Sequence, residues 1–183
     1  MRPQGKGDAQ LLPCAKGMTV VKPLNLPRAS RLLPPAEFRR WKRGLIEELA
    51  RLARLLHDRR CFHKDLYLCH FYIHQDDTRA QPAGGWRGRV YLIDLHRLKY
   101  HPWTWRLWQM KDLAQLLYSS AVAGVGARDQ LAFWHAYRSS GPRRRADRWL
   151  RRCVLIKWRR YCSHNARRKA RLAYEDRGGR GPV

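Results

Sequence analysis

The stretch CFHKDLYLCHFYI, residues 61–73, places two histidines, a lysine and an aspartate among aromatic and aliphatic residues. A second apolar run, RVYLIDLHR, carries Asp94 near its end. Both runs have the aromatic and β-branched residues typical of short strands, at 66–73 and 89–95. The segment between them contains a proline and three glycines, which predicts a loop. Two strands joined by a loop form a hairpin, so we expect Asp65 and Asp94 to approach each other.

The composition indicates a globular domain with a large positive charge. Of the 183 residues, 44% are hydrophobic, including eight Trp and eight Tyr, which is too many for a disordered chain. Lys and Arg number 39 against 14 acids, a formal charge of +25, which favours a polyanionic partner. That partner could be a nucleic acid, an anionic membrane surface or a phosphorylated substrate, and the charge does not choose among them.

Cysteine usage and hydropathy bear on location. The five cysteines are an odd number and widely scattered, so they predict no disulfide framework and favour a reducing compartment. Residues 1–18 lack the apolar segment of a secretory signal, and no run approaches the ~20 apolar residues of a membrane span. We therefore expect a cytoplasmic protein, with a peripheral position at the inner face of the cytoplasmic membrane left open.

Helical periodicity sets the rest of the fold prediction. Apolar residues recur at steps of three and four in a helix at 36–57, directly after two prolines. The predicted class is α+β and mainly helical, with one small β-hairpin. The predicted units are an irregular arm at 1–35, a compact lobe at 36–172 and a loose basic tail at 173–183. Further helices are predicted at roughly 105–121, 127–139 and 143–172.

The order of acids matches a phosphoryl-transfer pattern. Kinases place one acid in H-R-D-x-x-x-x-N, near the attacking hydroxyl, and a second in D-F-G, which binds Mg²⁺. Here HKDLYLCH supplies Asp65, with His70 where the asparagine would stand, and IDLHR supplies Asp94. The spacing of the first motif is kept, whereas two of its letters differ.

Three motifs in order, HKDLYLCHFYI, VYLIDLHRL and KDLAQLLYS, resemble the bacterial lipopolysaccharide core kinase family, the Kdo/heptose kinases. The resemblance extends from about Leu26 to about Arg138. It implies the C-terminal lobe of a protein-kinase-like fold and ATP-dependent phosphorylation of an inner-core heptose or Kdo hydroxyl. It also implies ATP and Mg²⁺ as cofactors. The implied partner is the lipopolysaccharide inner core or another anionic glycolipid, with nucleic acid less favoured.

The resemblance assigns the reacting groups. Asp65 would accept or orient the proton of the sugar hydroxyl. Asp94 would bind Mg²⁺, and His70 would be either a second metal ligand or a residue that positions the two acids. Imidazole is a poorer ligand than an amide oxygen for Mg²⁺, so both roles of His70 stay open.

The resemblance also assigns supporting residues. His63 would hold the loop, and Asp112 would tie the catalytic loop by backbone hydrogen bonds. Protein kinases often have a lysine two residues after the catalytic acid, where this chain has Tyr67. Lys64 or Arg97 could supply that missing positive charge.

The motifs of an N-terminal kinase lobe are absent from the sequence. No glycine-rich loop precedes Lys22, and about forty residues separate that lysine from His63, too few for a complete lobe. We therefore expect a C-terminal lobe with the N-terminal lobe largely missing, which leaves catalysis by this truncated chain in question. The alternative is a noncatalytic, pseudokinase-like basic module that binds an anionic glycolipid, nucleic acid or protein.

Two further patterns have simpler interpretations. A zinc site built on Cys61, His63, Cys69, His70 and His74 is disfavoured because its spacing fits no paired-ligand pattern. The tryptophans of HPWTWRLWQM could stack on sugars, but we expect them to be packing anchors.

Overall fold

The computed structural model describes residues 21–23, 31, 34–74, 90–138 and 145–176. Within these ranges it contains helices α1 (Pro35–Asp58), α2 (Trp105–Ser119), α3 (Ala127–Arg138) and α4 (Arg145–Asp176). The strands are β1 (Val21–Pro23), β2 (Cys61–Phe62), β3 (Phe71–His74), β4 (Val90–Leu92) and β5 (Lys99–Tyr100). The predicted mainly helical α+β class is confirmed, and each of the four predicted helices begins and ends within a few residues of its expected bounds.

Helix α1 forms because its apolar residues share one face and because a proline and an acid favour its first turn. Pro35 occupies the first turn, where a missing backbone N–H costs nothing, and Glu37 complements the helix dipole. Trp41 and Leu45 are each only 1% exposed at the centre of the buried face. Truncating Trp41 to alanine would cost about 3–5 kcal/mol.

The core lies where the four helices meet. Helix α1 packs on α3, and α2 packs on α4. Lys42 of α1 ties the turn before α3, because its Nζ donates to Asp129 and to the Gly124 carbonyl, both at 2.7 Å. An apolar cavity of about 230 Å³ remains between the helices, lined by residues such as Leu49, Leu116 and Trp134.

Two small antiparallel sheets are present in the described part of the chain. One has the order β1-β3-β4, and its β3–β4 pairing, with Phe71 opposite Leu92, confirms the predicted hairpin. The other pairs β2 with β5, setting Cys61 opposite Tyr100, and was not predicted. Together the sheets hold the segments that carry Asp65 and Asp94 beside each other.

The predicted strand at 66–73 is wrong in its first half. Residues 66–67 are irregular, Leu68–His70 form one 3-10 turn, and only Phe71–His74 is a strand. The physical reason is tertiary, because the Leu68 backbone N–H donates to Ser119 Oγ of α2 at 2.8 Å. The predicted strand at 89–95 is likewise shorter, at 90–92.

The predicted terminal segments fall largely outside the described residues. Most of the 1–35 arm does so, although 21–23 form β1. Of the 173–183 tail, helix α4 includes residues up to Asp176 and the remainder lies outside. The domain boundaries therefore stay predictions. No helix in the described ranges is long and apolar enough to cross a bilayer.

Candidate active site

The loop after β2 is held by one buried carboxylate. Asp112 of α2 is fully buried, and its two oxygens accept the backbone N–H groups of His63 and Lys64, each at 2.9 Å. Lys64 has φ 71°, a conformation that is uncommon for a residue with a side chain. A charge-assisted pair of hydrogen bonds therefore holds the loop in a backbone shape that it would not favour alone.

Asp112 is in turn positioned by a buried network. Gln109 donates from Nε2 to the Tyr137 hydroxyl at 2.7 Å, and that hydroxyl lies 2.7 Å from His57 Nδ1. His57 Nε2 faces Asp112 at 3.5 Å. Because the tyrosine hydroxyl accepts from Gln109, it can donate to His57 Nδ1, which leaves the Nε2–H directed at the carboxylate. Burial raises the pKa of Tyr137 well above its ordinary value, so its hydroxyl stays protonated.

His63 connects the two acid-bearing segments. Its ring is fully buried, and Nε2–H donates to the Ile93 carbonyl at 2.9 Å, directly before Asp94. The ring also stacks on His70, with centroids 5.4 Å apart. His63 is therefore buried between the segments that carry Asp65 and Asp94, and it contacts both of them.

Asp65 lies in the cleft with both carboxylate oxygens engaged. Arg97 donates to Oδ2, and Gln115 Nε2 lies 3.4 Å from Oδ1. Its side chain is 21% exposed, so the group is accessible from solvent. A carboxylate offers about four lone-pair sites, so either oxygen can still accept a proton from a further hydroxyl.

Asp94 has the left-handed backbone conformation, with φ 61°, which aspartate tolerates better than most residues. Its Oδ1 accepts from His96 Nδ1, and its Oδ2 lies 3.5 Å from His70 Nε2. At 39% exposure, the carboxylate is open to the cleft. His96, which the sequence analysis did not single out, is therefore a close neighbour of this acid.

His70 bridges the two acids. Its Nδ1–H donates to the Asp65 carbonyl at 2.7 Å, and its Nε2 faces Asp94 at 3.5 Å. A carbonyl only accepts, so a neutral His70 ring presents an unprotonated Nε2 to the Asp94 carboxylate. Two lone pairs facing each other repel, and a cation between them would relieve that repulsion.

Positive charge surrounds the Asp65 side of the cleft. Lys64 Nζ lies 4.2 Å and Lys111 Nζ 5.1 Å from the centre of the Trp108 ring, which also stacks on His101. Burial lowers the pKa of Lys111 most, while the negative charge of Asp65 opposes that shift. Burial, and then Lys64 and Lys99, also lower the pKa of His101.

The tryptophan prediction was wrong in part. Trp103 is 93% exposed and is no packing anchor. Trp105 lies between two cations, with Arg60 at 3.8 Å and Arg106 at 4.5 Å from its ring centre. Trp105 and Trp108 are thus held by arginine and lysine side chains at the surface.

Metal-binding groups are few in the described ranges. No cluster of three or more His, Cys, Asp or Glu side chains converges there to hold a metal ion by itself. The Asp94 and His70 pair is the relevant candidate, because Mg²⁺ commonly uses only one or two protein carboxylates and completes its shell with water and phosphate oxygens.

The structure brings together all seven residues that the sequence analysis selected. Asp65, Asp94, His70 and Arg97 meet in one cleft, while His63, Lys64 and Asp112 hold its loop. Sequence reasoning missed Gln115, His57, Lys111 and His96. Gln115 lies one helical turn after Asp112 and could have been found by helical spacing. Lys111 directly precedes Asp112 and is not selected by that spacing, and His57 lies far from Asp112 in sequence and gave no local signal.

A histidine-led loop fixed by a helix aspartate, with a second acid across a hairpin, defines the catalytic lobe of a protein-kinase-like fold. Residues 35–137 match the family model described as "Lipopolysaccharide kinase (Kdo/WaaP) family". That match covers more than half of the sequence. The chain therefore belongs to the lipopolysaccharide kinase (Kdo/WaaP) family.

Named relatives agree with this assignment. The lipopolysaccharide core heptose(I) kinase WaaP of Pseudomonas aeruginosa is 38% identical over 98 residues, which are 54% of this chain and 35% of that protein. The enzyme of the same name from Escherichia coli K12 is 35% identical over 98 residues, 54% of this chain and 36% of that protein. The matched region thus spans about a third of the length of these curated relatives.

A solved structure is similar as well. "WaaP in complex with acyl carrier protein" superposes with a TM-score of 0.53 and 33% sequence identity, over 70% of this chain and 52% of that one. The kinase-like fold class expected from the sequence is therefore confirmed.

Proposed function

We propose that this chain carries the catalytic lobe of an ATP-dependent kinase that phosphorylates a hydroxyl of an inner-core lipopolysaccharide sugar, heptose or Kdo. Family membership and the names of the relatives support the substrate class. Because the match spans about a third of those relatives, activity of the chain by itself is part of the proposal.

The observation that carries the proposal is the His70 bridge. The ring contacts the Asp65 carbonyl through one nitrogen and faces the Asp94 carboxylate with the other. Phosphoryl transfer needs an acid at the attacking hydroxyl and another at the metal-bound phosphates, and positioning supplies most of the rate. A ring that contacts the Asp65 backbone and faces the Asp94 carboxylate supports that requirement, because it keeps the two acid-bearing segments side by side.

Each side chain then has a defined task. Asp65 accepts the hydroxyl proton at a free lone pair of its carboxylate, while Arg97 and Gln115 hold that carboxylate in place. Arg97, Lys64 and Lys111 place positive charge on the same side of the cleft, where it can offset charge on an anionic acceptor or a transferring phosphoryl group.

The donor set beside His70 fits a divalent cation. Asp94 Oδ2 and His70 Nε2 face each other at 3.5 Å, so a carboxylate oxygen and an imidazole nitrogen are both available to one cation. Asp94, with His70 beside it, would hold Mg²⁺. Bound there, the ion would supply neutralisation of the nucleotide phosphates. Asp94 has a left-handed backbone, and its carboxylate is 39% exposed beside His70.

Phosphate transfer from Mg·ATP to a heptose- or Kdo-containing acceptor tests the proposal. Asp65→Asn keeps the shape of the side chain and removes the proton acceptor, so transfer should fall by about 10²–10⁴-fold. Asp58→Asn at the exposed end of α1 is the matched control and should leave the rate unchanged. Equal rates for Asp65→Asn and the parent chain would contradict the assignment.

A noncatalytic basic module remains the second candidate, favoured by the net charge of +25. It would bind the acceptor glycolipid without any transfer, with an affinity that Asp65→Asn leaves unchanged and that falls steeply with salt. Measuring binding and transfer on the same acceptor separates the two functions.

The proposed partners and location follow from the substrate. The acceptor is an anionic glycolipid, so we place the protein in the cytoplasm, peripheral to the inner face of the cytoplasmic membrane. Acyl carrier protein is a further candidate partner, because the similar solved structure is a complex with it. Co-purification that is lost at high salt would support a charge-driven contact of that kind.

A further inference from the structure

Helix α4 has one face in the core and another in solvent. Leu150 and Val154 are buried against the rest of the lobe, and Tyr161 is partly buried, with its pKa raised to about 12 by burial first and then by Tyr67 and the two acids Asp112 and Asp65. On the opposite side, Trp149 is 52% and Ile156 is 54% exposed. These two apolar side chains are seven residues apart, about two helical turns, so they form one line along the outer face.

Arginines flank that apolar line on both sides. Six exposed arginines of α4 lie within about a quarter of a turn of it: Arg145, Arg148, Arg152, Arg159, Arg160 and Arg167. In the described part of the chain, none of the six forms an ion pair with a carboxylate. The acid at the start of α4, Asp147, is half-buried and binds Arg138 instead. We name Trp149, Ile156 and these six arginines the outer face of α4.

The basic residues of helix α1 provide a contrast. Its sequence mixes six Lys or Arg residues with four acids, Glu37, Glu47, Glu48 and Asp58. Arg51 pairs with Glu48, and Lys42 pairs with Asp129. A mixed surface of this kind is ordinary for a soluble helix, whereas the outer face of α4 combines unneutralised positive charge with exposed Trp and Ile.

We propose that the outer face of α4 docks on an anionic phospholipid bilayer, with Trp149 and Ile156 inserted at the boundary of headgroups and acyl chains. Helices that lie in this interface carry an apolar stripe bordered by Lys or Arg, as here. The arginine stems can extend along the surface so that each guanidinium reaches a headgroup phosphate. A nucleic acid would pair with the arginines but gives no reason for an isoleucine at the centre of the face.

This proposal is independent of the proposed kinase activity, since no residue of the outer face contacts the cleft. The proposal also explains the composition of α4. The outer face of this helix consists of arginines and two apolar residues, while its other side packs against α2. Docking through α4 would hold the lobe at a membrane that contains a lipid-linked acceptor.

Co-sedimentation of the full chain with vesicles tests the proposal. We expect binding to phosphatidylglycerol–phosphatidylethanolamine vesicles and little binding to phosphatidylcholine vesicles. The double variant Trp149→Ser/Ile156→Ser should weaken binding by roughly tenfold or more, because each side chain loses its insertion. Both residues are more than half exposed, so the melting temperature of this variant should stay close to that of the parent.

Two matched charge-reversal variants distinguish binding through the outer face of α4 from a general attraction of the basic chain to anionic vesicles. Arg152→Glu/Arg159→Glu on α4 should weaken binding by about 30-fold or more, from about fivefold for each lost cation. Arg39→Glu/Arg40→Glu on α1 makes the same change in net charge on exposed residues and should have a much smaller effect.

Three results would overturn the proposal. One is absence of binding to the anionic vesicles. Another is an equal loss of binding for the two charge-reversal variants. The third is normal vesicle binding by Trp149→Ser/Ile156→Ser, which would indicate a simple polyanion surface. In that third case, binding to RNA should fall with the α4 arginine reversals alone.

Discussion

Replacing Asp112 by asparagine tests how the candidate active-site loop is held. The carboxylate accepts two buried backbone N–H groups at 2.9 Å, from His63 and Lys64. A carboxamide has one acceptor oxygen, so one N–H would face an NH₂ group and lose its acceptor. Hydrogen bonds to charged groups contribute about 1.5–3 kcal/mol each, and an unsatisfied buried donor costs about 1–3 kcal/mol.

Asparagine also removes a buried charge, which offsets part of this loss. We therefore expect Asp112→Asn to lower the free energy of unfolding by about 2–4 kcal/mol. For a chain of this length that corresponds to a melting temperature lower by roughly 5–15 °C. Urea unfolding followed by circular dichroism at 222 nm measures the change, with the slope expected to stay constant.

Asp94→Asn is the control for that measurement. Asp94 is 39% exposed and has a left-handed backbone that asparagine also tolerates, so its replacement should change stability by only about 0.5 kcal/mol. Amide hydrogen exchange adds a local test, because the amides of residues 63 and 64 should lose protection in Asp112→Asn. An unchanged urea midpoint together with unchanged protection would refute the anchoring role of Asp112.

Two other changes have defined outcomes. Tyr137→Phe removes the hydroxyl between Gln109 and His57, leaves both partners unsatisfied, and should lower the free energy of unfolding by about 1–3 kcal/mol in urea unfolding. Lys111→Met should raise the free energy of unfolding at neutral pH. Burial lowers the pKa of Lys111 below its ordinary 10.5, which means that the folded state disfavours the charged lysine. The advantage should shrink as pH rises toward 10.5, where the lysine loses its proton in the unfolded chain as well; a gain that grows with pH would contradict it.

The helices could be predicted from sequence because their signals are local. The apolar steps of α1 and the prolines before it define both its buried face and its start, and the structure places the helix at Pro35–Asp58, within one residue of the expected 36–57. The hairpin was predictable for the same reason, since two short apolar runs flank a loop rich in glycine.

The catalytic loop departs from its local pattern because tertiary contacts decide its shape. Residues 66–70 look like a strand, yet Leu68 donates to Ser119 of α2 and His70 turns back to the Asp65 carbonyl. The β2–β5 pairing joins Cys61–Phe62 to Lys99–Tyr100, with paired residues 37 to 39 positions apart in the sequence. Strands of two residues carry no periodic signal.

The sequence could predict only those residues of the candidate site that belong to a motif. Asp65, His70 and Asp94 belong to recognisable runs, so their meeting in one cleft could be expected. His57 supports the site from a helix whose sequence reads as ordinary core, and its contact with Asp112 arises only from the packing of α1 against the rest of the lobe.

The most direct test of the shared cleft is a titration of the chain with Mn²⁺, followed by NMR of the histidine rings. If Asp94 binds the ion beside His70, the signals of His70 and His96 should broaden first. Those of His57, buried behind Asp112, and of His164 on α4 should stay sharp. Asp94→Asn should abolish the selectivity. Uniform broadening of all four rings, or the same selective pattern in Asp94→Asn, would contradict the account.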